Sequence, residues 1–193
     1  MRVVTRARLA AIAILLAARA PASAESTLVL DPAQSEVRFT LGATLHTVEG
    51  ALDLVRGELR FDPAGGAVSG EIAVDARSAR TGIGARDRDM HAKVLESERF
   101  PEIVLRPEHL EVVRRDATSA DVRLHGSLEI HGTEHAVVVP ARVTAQGEGL
   151  LLVEASFDVP YAAWGMRDVS TFVLRVAKEV EVDVRAIGTW SSR

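Results

Sequence analysis

The densest run of chemistry-bearing side chains in the sequence is Arg86-Asp87-Arg88-Asp89-Met90-His91. Asp87 and His91 stand four apart, a spacing that pairs side chains on a helix. Arg88 and Asp89 suit either anchoring that helix to a neighbouring rim or meeting a polar ligand head. Two readings stay open, a solvated helix face with a salt bridge or two, or a guanidinium aimed at a phosphate. A metal-dependent enzyme built here would use Asp87, Asp89 and His91. The histidines, His46, His91, His109, His125, His131 and His135, form no HExxH helix motif. His125, His131 and His135 fall on or beside one predicted hairpin, which reads as surface clustering rather than a ligand set. The sequence has no GxSxG elbow and no Ser, His and acid grouping, so hydrolase chemistry has no support. Residues 159–166 gather Tyr161, Trp164 and Met166. Such side chains, apolar in body and polar at the tip, suit a cavity mouth or equally the cap of an empty barrel.

The elements that would position these residues are legible from periodicity. Residues 78–103 interrupt a chain that otherwise alternates apolar and polar side chains, and their spacing shifts from two toward three and four. Met90 and Val94, with Ala85 or Leu95, fall on one side of a helical wheel, while Arg86, Asp87, Lys93 and Glu96 lie elsewhere. Thr81, Gly82 and Gly84 open this short helix and Pro101 forbids its continuation. On either side the period is two. Val37, Phe39 and Leu41 alternate with Glu36, Arg38 and Thr40; Leu59 and Phe61 with Glu58 and Arg60; Ile72, Val74 and Ala76 with Glu71 and Asp75. Leu124, Leu128 and Ile130, then Val153, Ala155, Phe157 and Val159, then Val180, Val182, Val184 and Ala186 repeat the pattern. One face is buried and one wet, the mark of antiparallel sheet. Turn signals such as Asp31-Pro32, residues 62–66, His131-Gly132 and residues 146–149 separate the runs. We therefore expect an all-β fold with a short inserted helix, a closed antiparallel barrel of about eight strands, since closure removes exposed edges. Its inward residues are rich in Val, Ala and Gly, which leaves either a ligand cavity or a tightly twisted, filled interior.

The first residues belong to another class. Arg2, Arg6 and Arg8 precede an apolar run, and Ala22-Ser23-Ala24 is a small-x-small pattern, so residues 1–24 are expected to be a cleaved secretory signal and residues 25–193 a single domain. Removing the signal takes four arginines and no acids, so the net charge falls from −4 to about −8. Such a chain repels phosphate backbones and anionic membranes, and nucleic-acid binding has little support. The sequence contains no cysteine, so thiol chemistry, cysteinyl metal sites and a lipid anchor on cysteine are excluded. No cofactor is expected, and no stable membrane anchor. Whether a second copy pairs with it is left open.

An ordered set of short motifs resembles the YceI-like family. These are Asp31-Pro32-Ala33-Gln34-Ser35-Glu36-Val37-Arg38-Phe39, Phe61-Asp62-Pro63, Ser78-Ala79-Arg80-Thr81-Gly82 with Arg86-Asp87 behind it, Arg99-Phe100-Pro101-Glu102-Ile103, and Leu128-Glu129-Ile130-His131-Gly132. The chain departs from many relatives at Leu52 and at Val159-Pro160-Tyr161. The resemblance implies a periplasmic, lipocalin-like barrel without catalytic activity, whose elongated apolar pore holds an amphiphilic lipid, a polyisoprenoid or a fatty acid or amide. In this sequence Phe39, Leu41, Phe61, Met90, Leu95, Ile103, Phe157, Trp164 and Phe172 are expected to border the pore. Arg88, His91 and Tyr161 are expected near its polar end. The alternatives are the metal-dependent enzyme and a ligandless interaction module with a solid barrel.

Overall fold

Period-two alternation becomes strand from Ser26 to Ser192. The computed structural model describes residues 25–44, 46–170 and 175–192; the expected signal, residues 1–24, lies outside them. Among the described residues nine strands run β1 (Ser26–Leu30), β2 (Glu36–Gly42), β3 (Thr47–Phe61), β4 (Gly66–Arg80), β5 (Glu102–Arg115), β6 (Ser119–Ile130), β7 (Thr133–Gly147), β8 (Leu150–Val159) and β9 (Val180–Ser192). Between β4 and β5 the chain forms one short helix, α1 (Gly84–Met90), extended by a π turn (His91–Leu95). All pairings are antiparallel, and β3 meets β4 to close the sheet.

Both β1 and β2 lie between β3 and β9, so nine strands fill the eight positions of a closed barrel. The break between them is a 3-10 turn over Pro32–Gln34. Asp31 caps it, accepting the Ala33 N–H at 2.9 Å and the Gln34 side-chain amide at 2.6 Å. The first family-like motif is thus a cap that lets one strand position bend without losing either neighbour.

The connections sort by length. At one end residues 62–65, 116–118 and 148–149 make short turns, while the described residues of the longer β2–β3, β4–β5 and β8–β9 connections emerge together at the other. Leu59, Val68, Leu110, Val122 and Ala141 fill the short-turn end, with Phe61, Ile72, Leu124 and Val153 packed against them. That end is a solid floor. At the long-loop end β6 and β7 meet in a two-residue hairpin, with His131 at φ 53° and Gly132 at φ 73°. A Cβ on Gly132 would strike the Phe100 ring at 2.4 Å, so this turn admits only glycine.

Two features break the regular wall. Ladder pairing between β7 and β8 begins at Ala141 and Ala155, and Pro140, with no N–H to donate, stands where it stops. On the outer face, Arg56 bridges Glu71 and Glu102 at 2.7 Å each, and Arg106 reaches Glu129 at 2.7 Å. These side chains are about two-fifths exposed, so they order the surface more than they stabilise it.

Candidate functional site: an apolar cavity with a polar mouth

The inward face of the alternating strands does not meet at the centre. It encloses a cavity of about 570 Å³, within the usual range for a small-ligand site. The wall comes from the residues that alternation turns inward: Val37, Phe39 and Leu41 of β2, Ile72 and Val74 of β4, Ile103 and Leu105 of β5. Across from them stand Leu124 and Leu128 of β6, Phe157 of β8, and Val182 and Val184 of β9. Small residues keep the space open. Gly50 lies opposite Phe39 across the β2–β3 ladder, and a Cβ there would come within 2.1 Å of the Phe39 ring. Phe39 therefore packs against the glycine and forms wall rather than plug.

Polar side chains reach the cavity at its long-loop end. His46, Thr81, Arg86 and Asp89 border it there, and Tyr161 lines it nearby. Thr81 is the knot of this region. Its backbone N–H and its hydroxyl both donate to Asp87 Oδ1, at 2.9 and 2.5 Å, and its hydroxyl accepts from Arg86 Nε at 2.7 Å. The Thr81 hydroxyl, then its N–H and the Arg86 charge, hold the Asp87 carboxyl below the usual carboxylate range. This binds the start of α1 to the end of β4 across the mouth. Ser78, two residues inside β4, donates to the Asp75 carbonyl at 2.6 Å and accepts the Asp53 N–H at 2.8 Å, in the bulge where β3 and β4 slip register.

The expected pore residues divide. Phe39, Leu41, Met90, Leu95, Ile103 and Phe157 line the cavity, as does Tyr161. Phe61 does not: it sits beyond the deep end, packed into the floor, because alternation fixes which face a side chain takes and not its depth along the barrel. Trp164 is not part of the wall either. It stacks on the His135 ring, centroids 4.2 Å apart and planes 1° from parallel, at the outer edge of the cluster around Tyr161 and Met166. His135 thus packs against an indole instead of joining a surface histidine cluster. Phe172 lies outside the described residues.

At the polar end, Tyr161 is buried and its hydroxyl donates to the Ala177 carbonyl at 2.9 Å, while burial pushes the phenol up from its ordinary value. Arg88 and His91 do not reach the cavity, and helical pitch explains it. At about 100° per residue Ala85, Arg86, Asp89 and Met90 share one side of α1, and Arg88 lies roughly 130° from its centre. His91 turns to Ser97, with Nδ1 2.9 Å from the hydroxyl. Arg86 and Asp89 take the places expected of them, and the four-residue step from Arg86 to Met90 was the available signal.

Asp87, Asp89 and His91, the proposed metal set, have separate partners in Thr81, Lys93 and Ser97. Among the described residues no three His, Cys, Asp or Glu side chains converge as a metal site would require. Among them also, no helix is long and apolar enough to cross a membrane.

A closed antiparallel barrel with one blind end, one polar mouth and an apolar interior is of the lipocalin-like class, whose interior has room for one small ligand. The YceI-like domain model matches residues 28–187, and the chain belongs to that family. Solved structures share the fold. Burkholderia cenocepacia BcnA superposes with a TM-score of 0.68 at 20% identity, covering 83% of this chain and 99% of that one. A polyisoprenoid binding domain from Saccharophagus degradans, implicated in plant cell wall breakdown, gives 0.65 at 18% identity, covering 84% and 97%. The Campylobacter jejuni YCEI protein gives 0.59 at 14% identity, covering 78% and 87%. No curated protein matches the chain.

Proposed function

We propose that this protein is a binding protein, not an enzyme, which holds an amphiphilic lipid with its isoprenoid or fatty-acyl tail in the barrel and its head group at the mouth. One observation carries the reading: a cavity of about 570 Å³ walled by aliphatic and aromatic side chains, with its charged border confined to the long-loop end. A polyisoprenoid binding domain among the structural relatives supports the choice of tail. Each methylene moved from water into such a wall is worth about 0.8 kcal/mol, so ten carbons contribute about 8 kcal/mol, enough to offset much of the cost of immobilising a ligand. Contacts of this kind discriminate poorly between tails, so selectivity falls to the head group and to the depth available. The pattern of residues 1–24 supports a periplasmic location after signal cleavage.

Organic extraction of the purified protein followed by mass spectrometry tests the proposal. The expected result is a stoichiometric prenyl or acyl lipid, or, from a stripped sample, a raised melting temperature on adding a prenyl phosphate or a fatty acid. Neither lipid nor shift would remove the proposed function and leave the ligandless module.

A further inference from the structure

One stretch of the barrel wall has no backbone bonds across it. The ladder between β7 and β8 climbs from its turn at residues 148–149 to Ala141 and Ala155 and stops there, at Pro140. Carried on at the same register it would set Val139 opposite Phe157, Val138 opposite Asp158 and Val137 opposite Val159. Instead β7 stays paired with β6 as far as Thr133 and β8 with β9 as far as Val159, so the two strands part over about 13 Å, four residues each. Val139 and Phe157, on the two sides of this seam, both line the cavity. The β4–β5 ladder also skips residues, between Ala67 and Ile72, but it is paired again at both ends and lies over the packed floor around Val68.

The seam is closed by side chains alone. The turn over residues 160–166 fills its mouth-side end, and that turn is tied to the chain leading into β9. Tyr161 donates to the Ala177 carbonyl at 2.9 Å, and the Ala162 N–H to the Lys178 carbonyl at 3.4 Å. Among the described residues no backbone hydrogen bond joins residues 133–140 of β7 to β8 or to this turn. What spans the seam is the Trp164 ring on His135, and Val137 packed on the cluster of Val159, Tyr161 and Met166. His135 Nε2 is buried there with no hydrogen-bond partner among the described residues. Holding that nitrogen unpaired costs its hydration, which is regained when the seam parts. Elsewhere a laddered wall opens only by breaking backbone bonds; here there are none to break, so the sheet parts most readily at this place.

We propose that the seam between β7 and the end of β8 is a side gate, through which the hydrocarbon tail passes laterally into and out of the cavity, with Trp164 on His135 as its latch; this rests on the reading of the cavity as a lipid site. The head group stays at the mouth while the tail swings in broadside, so the chain is not threaded end-on toward the floor. Closing the seam restores a continuous apolar wall around the tail.

The chain contains no cysteine, so engineered thiols stand on a clean background. Val138 and Asp158 are exposed on opposite sides of the seam, and Val138→Cys with Asp158→Cys, joined by a short bis-maleimide, staples it from outside. Stopped-flow fluorescence of cis-parinaric acid, which brightens in apolar surroundings, reads uptake and release. Stapling should slow both by at least about tenfold and change Kd far less, since a gate acts on the barrier and not on the bound state. The same staple between Arg142→Cys and Glu154→Cys, partners in the paired stretch of the same two strands, should leave the rates at the parent's. Trp164→Ala, without the latch, should load severalfold faster. Opening is also read with no ligand present. Val139→Cys should react with a bulky maleimide at least about tenfold faster than Val182→Cys, which lines the cavity at the same height between two paired neighbours. Mass spectrometry and melting curves check that the staples form and the variants fold. Unchanged rates in the stapled protein, equal slowing by both staples, or slower loading of Trp164→Ala would overturn the proposal. Uptake of the fatty acid with equal labelling of the two cysteines overturns the gate and leaves the cavity reading standing. Fast labelling of Val139→Cys with no uptake by the parent keeps the moving seam and removes the lipid reading.

Discussion

Thr81 contributes one hydroxyl and one N–H to the mouth, and Asp87 accepts both. Because the folded state holds the Asp87 carboxyl below its ordinary value of 3.8, the clasp contributes fully above that value and is lost as pH falls through the lowered one. Asp87→Asn should therefore lose a little stability at neutral pH and show a flatter profile below pH 4 than the parent. Urea melts across that range check it; identical profiles would mean that Asp87 does not hold α1. Gly50 is the other residue whose role is sharply defined. Gly50→Ala would set a methyl against the Phe39 ring and 2.7 Å from the Arg80 carbonyl, so the ring must swing into the cavity. A loss of about 1–3 kcal/mol in chemical denaturation is expected, with reduced lipid uptake, as for other overpacked sites.

Among the elements, α1 and its π turn decide which side chains roof the cavity. A regular α pitch would carry Leu95 about 140° past Met90. The wider π turn winds less per residue and keeps Val94 and Leu95 on the cavity, before Glu96 ends the helix in the left-handed region at φ 45°. Met90→Glu places a carboxylate in that roof. Retained lipid should fall at least about tenfold, the gap between burying a charge and burying a thioether being several kcal/mol. The far-ultraviolet circular dichroism should not change; unchanged retention would take the helix out of the site. This element also marks where sequence reasoning stopped. Strict alternation made the inward residues of β2, β8 and β9 legible one by one. A wheel of constant pitch already sets Arg86 and Asp89 beside Met90 and turns Arg88 away, so the expectation of Arg88 and His91 at the mouth rested on charge and not on pitch; what the wheel hides is the π turn that keeps Leu95 on the cavity. Strand β5 was harder to read because bulges at Pro107 and after Val112 break its alternation. The stacking of Trp164 on His135 joins a loop to a strand through no periodic signal at all.

At the scale of the whole molecule, stability and binding occupy opposite ends. Leu59 is 5% exposed inside the packed floor, and Leu59→Ala should cost about 2–5 kcal/mol while leaving lipid uptake near the parent's. Leu41 faces the cavity near its mouth and is only partly buried, at the edge of the cluster around Tyr161 and Met166. Leu41→Ala should cost about 1 kcal/mol or less and weaken retention instead, since the lost contacts are with the guest. Denaturation curves and extraction on the two variants separate these outcomes, and a reversed pattern would mean that the floor is the binding end.

The plug of Leu59, Phe61, Val68 and Leu110 has one more effect, because it gives the tunnel a dead end. A dead-ended sleeve is a ruler. Tails shorter than its depth leave a void, and longer ones must trail their surplus units past Arg86 and Asp89 into water, so affinity should climb with carbon number and then level off. Trimming Phe61 to alanine should move that plateau toward longer tails.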